Sequence, residues 1–310
     1  MSKILITGGA GYIGSELIDY LLKDGHSVVA YDNLMYDPTS LLRYSIHPNF
    51  RFVKDDVRRL KILAPEMENA DIIIPLAALV GFPLCDKDER SAVEVNHGVN
   101  GWIAKNKREE QKVIYPCTNS GYGVNSAGGV CTEESPLSPI SLYGKTKVGA
   151  EQEYKEVENH VTFRLATVFG PGTRMRTDLL VNSFVLKTLR ERLLVLYECE
   201  FMRNYVHLHD VCRAFKFVID NWDDCKNETY NVGNDSLNMN KLQLAEKIKE
   251  HLPLEIIKAE FTTDPDKRDY VVSSQKFYDK GFECQYDLDD GIRQLITAYN
   301  IIEAPWYANY

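Results

Sequence analysis

Short apolar runs alternate with amphipathic segments through the first half of the chain. The first three elements are "KILIT" at 3–7, "SELIDYLLKDG" at 15–25 and "HSVVAYD" at 26–32. Their periodicities predict a strand, a helix and a second strand. Further strand patterns follow at 50–56, 71–78, 112–118 and 161–170. Strands separated by helices are typical of a parallel sheet with helices on both faces, so the pattern predicts an α/β fold with a doubly wound sheet.

After residue 170 this alternation becomes less regular. Helix patterns recur within 172–193, 204–222 and 240–252, the second of them after a short strand. We expect residues 1–170 to form the nucleotide-binding domain, with part of its sheet completed by 203–233. Residues 171–310 are expected to form mainly a smaller C-terminal lobe that binds the substrate.

Gly8, Gly11 and Gly14 lie between the first predicted strand and the first helix. A turn without Cβ atoms lets a pyrophosphate approach the backbone amides at a helix N-terminus. Asp32 ends the second strand, 18 residues after Gly14, where a carboxylate accepts hydrogen bonds from ribose hydroxyls and repels a 2′-phosphate. The arrangement predicts a Rossmann dinucleotide site for NAD rather than NADP. The alternative is a glycine-rich turn of another α/β protein, with Asp32 an ordinary strand-end residue.

Neighbouring residues complete the candidate cofactor site. Asp56 and Val57 follow the third strand and are placed to contact the adenine edge, and small residues after the fourth strand leave room for the cofactor. Strand capping and ordinary packing are the alternatives for these residues. The candidate cofactor-binding residues are Gly8, Gly11, Tyr12, Ile13, Gly14, Asp32, Asn33, Asp56, Val57, Leu76, Ala77, Ala78, Tyr143 and Lys147.

Tyr143 and Lys147 stand four residues apart, so a helix places them on one face. An unperturbed phenol titrates at about pH 10, but a lysine ammonium and a nicotinamide cation both favour phenolate. Tyr143 can then remove a proton from a sugar hydroxyl. Thr118, at the end of the predicted strand 112–118, is placed to bind the same substrate oxygen. A solvated helix pair with a strand-end cap is the alternative, and the glycine turn favours catalysis over it.

Seven motifs occur in a fixed order along the first 171 residues. They are "TGGAGYIG" at 7–14, "YDN" at 31–33, "DDVR" at 55–58, "PLAA" at 75–78, "TNSGYG" at 118–123, "YGKTK" at 143–147 and "RLATVFGP" at 164–171. With them the chain resembles the extended short-chain dehydrogenase/reductase family, specifically its NAD-dependent nucleotide-sugar epimerases and dehydratases. The resemblance implies a Rossmann domain, a small C-terminal nucleotide-sugar lobe, tightly held NAD, catalysis by Thr118, Tyr143 and Lys147, and commonly a homodimer. Pro75 and Cys117 depart from the frequent histidine and serine of the family but lie outside the catalytic set.

Asn119 and Ser120 follow Thr118, at the place where the 4,6-dehydratases of the family carry an Asp-Glu pair. Neither residue is a useful acid or base near neutral pH. The sequence therefore disfavours elimination of water and leaves oxidation of a ring hydroxyl, at C4. A 4-dehydrogenase, a 4-epimerase and a keto-sugar reductase share this step and stay open, as does an NAD-sensing regulator without catalysis.

Arginines of the second half are candidates for binding a nucleotide diphosphate, because guanidinium groups bind phosphate bidentately. The candidate substrate-binding residues are Thr118, Asn119, Ser120, Arg174, Arg176, Asn182, Arg203 and Arg268. A surface ion pair is the alternative for each arginine. The segments "RMRTDLLVN" and "DKRDYVVS" resemble enzymes of bacterial surface-polysaccharide synthesis, including those that oxidise C4 of GDP-linked heptoses. UDP- and CDP-linked hexoses stay open.

The formal charge of −9 disfavours nucleic acid and anionic membranes as partners. The seven cysteines are scattered and form no C-x-x-C pair, which favours reduced thiols in the cytoplasm over disulfides or a zinc site. The sequence has no apolar run of the roughly 18 residues that a transmembrane helix needs. We therefore expect a soluble cytoplasmic protein without a metal site, whose partners are a nucleotide sugar and a second copy of the chain.

Overall fold

The computed structural model describes residues 1–124, 129–259 and 268–302. The strands are β1 (Lys3–Thr7), β2 (Ser27–Asp32), β3 (Phe50–Lys54), β4 (Ile72–Pro75), β5 (Lys112–Thr118), β6 (Val130–Cys131), β7 (His160–Leu165), β8 (Thr167–Phe169), β9 (Leu193–Tyr197), β10 (Met202–His207), β11 (Glu228–Val232), β12 (Asn234–Asn240), β13 (Glu255–Ala259) and β14 (Val271–Val272). The α-helices are α1 (Tyr12–Lys23), α2 (Leu60–Glu68), α3 (Phe82–Lys87), α4 (Glu89–Val93), α5 (Val99–Asn106), α6 (Leu142–Lys155), α7 (Leu180–Glu191), α8 (Leu208–Asp220), α9 (Trp222–Cys225), α10 (Lys241–Lys249), α11 (Gln275–Tyr278) and α12 (Leu288–Ile301).

Seven parallel strands form the main sheet in the order β11-β7-β5-β4-β1-β2-β3. The chain runs outward from β1 to β3 on one side and from β4 to β11 on the other. The strand order therefore reverses between β1 and β4, and in such sheets ligands bind outside the carboxyl ends of the strands at this switch point. The predicted doubly wound α/β fold is confirmed.

Helices cover both faces of this sheet. On one face α1 and α8 pack through residues such as Leu17 and Phe215, which are fully buried. On the other face α2, α5 and α6 contribute Leu63, Ile103 and Tyr154. Buried apolar residues therefore pack on both sides of the sheet, and this packing fixes the strand ends that carry the glycine turn and Thr118.

The predicted strand at 161–170 is in fact two strands. β7 remains in the main sheet, whereas β8 pairs with β10 in a separate three-stranded sheet, β12-β10-β8. The break comes at Ala166, whose amide donates to the Val232 carbonyl at 2.9 Å before the chain leaves the sheet. The pattern of this stretch cannot reveal the change of partner, because periodicity indicates a strand but not the strand with which it pairs.

A third cluster of buried residues lies almost entirely after residue 170, and the part of the chain that packs around it is called the lobe below. It joins Val181 and Val185 of α7, Leu194 of β9, Leu244 of α10 and Ile292 of α12. The lobe therefore has an apolar core of its own beside the main sheet. Within the described ranges, every helix is too short or too polar to cross a bilayer.

Candidate functional site

A cavity of about 730 Å³ opens at the carboxyl ends of β1, β2, β4 and β5. Ends of the main-sheet strands line this cavity, and so do segments of the later part of the chain that include Arg176, Arg203 and Arg268. Its volume lies within the range of cavities that bind cofactors and small substrates. The cavity therefore lies where the strand order of the sheet places a ligand site.

The glycine turn forms the floor of this cavity. Gly8 has a φ of +72°, and a Cβ there would lie 2.6 Å from the Ala77 amide nitrogen. At Gly14 a Cβ would lie 2.6 Å from the Gly8 carbonyl oxygen. Any larger residue would force the turn away from the fourth strand or from its own helix. The turn thus brings the N-terminus of α1 to the cavity, where its amides and dipole fit a pyrophosphate.

Asp32 lies on the cavity wall at the end of β2. Its Oδ2 accepts from the Ala10 amide at 3.1 Å and its Oδ1 from the Leu34 amide at 2.8 Å. Burial raises the pKa of this carboxyl, and the two amide hydrogen bonds oppose that rise. Each carboxylate oxygen keeps a lone pair for a further donor. The predicted contact with ribose hydroxyls is therefore compatible with this geometry.

The other candidate cofactor residues also line the cavity. They are Gly11, Tyr12, Ile13, Asn33, Asp56, Val57, Leu76, Ala77 and Ala78. The Asp56 carboxylate is already engaged, because it accepts from Arg58 Nε at 3.0 Å and from Nη2 at 2.7 Å, which lowers its pKa. Tyr12 donates its hydroxyl to the Gly170 carbonyl at 2.5 Å and so links α1 to the segment after β8.

A buried asparagine that sequence reasoning missed holds the loop after β4. Asn96, in a π-helical turn at Glu94–Gly98, accepts from the Leu79 amide at 2.8 Å and donates to the Leu79 carbonyl at 2.9 Å. The same amide donates to Thr146 Oγ1 at 3.3 Å. Asn96 therefore joins the cofactor side of the cavity to α6, and no local sequence signal marks it.

Tyr143 and Lys147 lie in the first half of α6, which begins where Ser141 Oγ accepts from the Gly144 amide at 3.1 Å. Both line the cavity together with Thr118. Burial lowers the pKa of Lys147 to about 8. Burial also raises the pKa of Tyr143, and Arg176 and Arg268 oppose that rise. The protein groups alone therefore raise the pKa of the Tyr143 phenol, whereas the sequence predicts a lowered one.

Thr118 and Arg268 meet through Ser120. Thr118 Oγ1 donates to Ser120 Oγ at 3.0 Å and accepts from the Ser120 amide at 3.1 Å. Arg268 donates to the same Ser120 oxygen from 148 positions further along the chain. The structure thus brings one of the predicted arginines to the strand end that carries the candidate catalytic hydroxyl.

Two candidate substrate residues are not on the cavity wall. Asn119 is 1% exposed, and its amide has no hydrogen-bond partner among the described residues. Asn182 is fully buried; it accepts from the Gly170 amide at 3.0 Å and donates to the Arg176 carbonyl at 2.8 Å. Its amide therefore holds the segment after β8 in place, and packing rather than ligand contact accounts for its position.

The remaining candidate arginines line the lobe side of the cavity. Arg176 Nε donates to Asp178 Oδ1 at 2.7 Å, and a second bond makes the pair bidentate. The Arg203 guanidinium lies 5.8 Å from the Tyr270 ring centroid. Lys241 lines the same wall, donates to the Tyr197 carbonyl at 2.9 Å and was not predicted. A wall this rich in cations fits a diphosphate.

Comparison with known proteins agrees with this arrangement. The model of the NAD dependent epimerase/dehydratase family matches residues 4–233. The low-salt glycan biosynthesis protein Agl12 of Haloferax volcanii is 28% identical over 307 residues, which cover 96% of this chain and 98% of that protein. Protein CapI of Staphylococcus aureus is 25% identical over 343 residues, with 99% of each chain covered.

Solved structures show the same fold. The UDP-glucose 4-epimerase of Thermotoga maritima, determined with UDP-glucose, has a TM-score of 0.84 at 22% identity and covers 97% of this chain and 100% of its own. The dTDP-glucose 4,6-dehydratase of Bacillus anthracis, in complex with NAD, has a TM-score of 0.83 at 24% identity with 99% of each chain covered. The family match spans most of the chain and includes the glycine turn, Thr118, Tyr143 and Lys147. The chain therefore belongs to the NAD dependent epimerase/dehydratase family, and its cofactor is NAD.

Proposed function

We propose that this protein oxidises the C4 hydroxyl of a nucleotide-diphosphate sugar. The observation that carries the proposal is a single cavity lined by the glycine turn, by Thr118, Tyr143 and Lys147, and by the arginines of the lobe. A dinucleotide site, a proton-transfer group and a cationic wall are the three parts that this reaction needs.

In this proposal Tyr143 removes the proton of the C4 hydroxyl. The C4 hydrogen leaves as hydride to NAD, which supplies the oxidising chemistry. Thr118 binds the same oxygen through its hydroxyl and holds it toward Tyr143. The Lys147 ammonium stabilises the phenolate that Tyr143 must present, and this stabilisation matters because burial raises the pKa of the phenol.

The absence of an acid after Thr118 supports an outcome other than water elimination. Ser120 has a hydroxyl that is held by Thr118 and Arg268, and the Asn119 side chain is buried away from the cavity. Neither group can protonate a leaving hydroxyl near neutral pH. We therefore favour a 4-dehydrogenase that releases the keto sugar, or a 4-epimerase that returns the hydride to the opposite face.

The cationic side chains of the lobe support a substrate that carries a nucleotide diphosphate. Arg176, Arg203 and Arg268 offer planar donors, and Asp178 already orients Arg176. We propose a GDP-linked heptose or hexose used for bacterial surface polysaccharide, with UDP- or CDP-linked sugars as the alternatives. The similarity to a glycan biosynthesis protein supports this role. We also propose a homodimer, which rests on the family resemblance. A cytoplasmic location is proposed because all seven cysteines are described and none forms a disulfide.

A panel of GDP-, UDP- and CDP-linked sugars tests the proposal. Each sugar is incubated with the purified protein, and both the sugar product and the redox state of the cofactor are followed. NADH with a 4-keto sugar identifies a dehydrogenase, whereas a C4 epimer without net NADH identifies an epimerase.

Tyr143→Phe is the matched control, because it keeps the ring and removes the phenol proton site. Loss of turnover with intact NAD binding is the expected result. Turnover equal to that of the wild type would remove Tyr143 from the reaction. Binding of NAD without turnover of any sugar by the wild type would favour the non-enzymatic NAD sensor.

A further inference from the structure

The loop after β2 is fastened to the glycine turn and to α1. Ser40 Oγ donates to the Ala10 carbonyl at 2.9 Å, and Tyr44 donates its hydroxyl to the Ser15 carbonyl at 2.6 Å. Ala10 belongs to the glycine turn, and Ser15 lies in the first turn of α1. The position of this loop is therefore set by the same backbone that faces the NAD pyrophosphate.

The segment after β8 is fastened to the same helix from the other side. Tyr12 donates its hydroxyl to the Gly170 carbonyl at 2.5 Å, and Glu16 Oε1 accepts from the Thr173 amide at 2.6 Å. Thr173 is followed directly by Arg174. Helix α1 therefore anchors the backbone immediately before Arg174, which the sequence had assigned to the nucleotide sugar.

Arg174 and Tyr36 bring these two anchored segments together. The Arg174 guanidinium lies 4.7 Å from the centroid of the Tyr36 ring, and both side chains line the cavity. Arg174 is only 3% exposed. The Tyr36 hydroxyl is buried and has no hydrogen-bond partner among the described residues. A buried cation beside an unsatisfied hydroxyl, on two residues that line a cavity, is an arrangement to which an anionic ligand with acceptor oxygens would add contacts.

A second cation, Arg176, and two carboxylates, Asp178 and Asp37, act on the Arg174 guanidinium. Burial, and next to it the charge of Arg176, lower the pKa of Arg174 to about 10. Arg174 also acts on the cofactor side, where its charge opposes the raised pKa of Asp32. An additional negative charge between Arg174 and the glycine turn would relieve the cost of burying this guanidinium.

We propose that Arg174 and Tyr36 close over bound NAD, with Arg174 binding its diphosphate and the Tyr36 hydroxyl donating to a phosphate or ribose oxygen. This assigns Arg174 to the cofactor rather than to the nucleotide sugar. Arg176, Arg203 and Arg268 remain for the substrate. The inference rests on NAD binding alone, so it stands or falls independently of which sugar reacts.

The test measures NAD affinity directly, by calorimetric titration of protein from which the cofactor has been removed. We expect Arg174→Met to raise the Kd for NAD about tenfold or more, since it removes a charge-assisted contact. Tyr36→Phe keeps the ring under Arg174 and removes one donor, so a rise of about threefold is expected. Arg203→Met is the matched control: it removes an equal charge from the lobe wall and should leave the Kd within about twofold.

An unchanged NAD Kd in a folded Arg174→Met protein would overturn the proposal. A raised KM for the nucleotide sugar in that variant would then return Arg174 to the substrate site. Far-ultraviolet circular dichroism establishes folding. If Arg174→Met does not fold, Tyr36→Phe and Arg174→Lys decide together. A raised NAD Kd in Tyr36→Phe supports the proposal, and an unchanged Kd in both variants refutes it.

Discussion

The ammonium of Lys147 lies over the ring of Tyr115, with Nζ 4.4 Å from the ring centroid, and the Tyr115 hydroxyl donates to the Lys147 carbonyl at 3.1 Å. Both side chains are buried between α6 and β5. The face of an aromatic ring stabilises a cation, but this stabilisation is smaller than the hydration that the ammonium loses on burial. The lysine is therefore held in a fixed place beside Tyr143 at a cost to the folded state.

That cost predicts a pH-dependent stability. Burial lowers the pKa of Lys147 from 10.5 to about 8. Between these values the unfolded chain binds more protons than the folded one, so the free energy of unfolding rises with pH across the window. Lys147→Met lacks this contribution and should be more stable than the wild type by about 3 kcal/mol at pH 7, with the gap closing by about pH 10.5.

Urea unfolding of both proteins at matched NAD content, from pH 7 to pH 10, measures the gap. Lys145→Met is the control, because Lys145 is exposed on the same helix. A difference between Lys147→Met and the wild type that stays constant with pH would contradict the account. So would a difference that widens toward alkaline pH.

Asp32 should set the choice between the two nicotinamide cofactors. Its carboxylate lies on the cavity wall and is held by the Ala10 and Leu34 amides. Asp32→Asn keeps the shape and removes the charge, so NAD should bind about tenfold more weakly while NADP binds more tightly. Titration with each cofactor measures the two constants. Equal weakening for both cofactors would show that Asp32 acts only by supporting the turn.

A buried ion pair beneath α6 should support the catalytic face. Arg164 donates to Glu151 from Nε at 3.2 Å and from Nη2 at 2.7 Å, and from Nη1 to the Tyr122 hydroxyl at 3.0 Å. Glu151 stands one turn after Lys147. In the part of the chain that the structure describes, Arg164→Met leaves this carboxylate with only the partly exposed Lys155 as a charged partner. The variant should lower the free energy of unfolding by about 3 kcal/mol or more.

The double variant Arg164→Met with Glu151→Leu separates two explanations. If the loss comes from an unpaired buried charge, the double variant should recover most of the stability, because an apolar pair of similar volume replaces the ion pair. Chemical denaturation of the three variants measures this. Additive losses in the double variant would instead indicate that the hydrogen bonds themselves carry the stability.

Several of the candidate residues line the cavity because of local geometry. The glycine turn, Asp32 and the Tyr143–Lys147 pair depend on spacings within one strand, turn or helix, and such spacings are visible in the sequence. The contact of Arg268 with Ser120 joins residues 148 positions apart. No local pattern encodes which lobe residue reaches which strand end, so this contact could not be foreseen.

Two candidate residues lie away from the cavity wall for a related reason. Asn119 follows Thr118 directly, yet the turn after β5 buries its amide while Ser120 faces the cavity. Asn182 lies on the N-terminal half of α7, and packing directs it to the Gly170 backbone. Tertiary packing decides which face of a turn or helix meets a ligand. Composition and spacing restrict the choice but do not make it.

The central claim is that hydride leaves C4 of a nucleotide sugar while Tyr143 removes the hydroxyl proton. A sugar nucleotide carrying deuterium only at C4 tests it in a single turnover, with rapid denaturation and mass spectrometry of the released cofactor. The wild type should yield reduced cofactor one mass unit heavier than ordinary NADH, and Tyr143→Phe should yield at most about a hundredth as much in the same time. Reduced cofactor without deuterium, or equal transfer by Tyr143→Phe, would contradict the account.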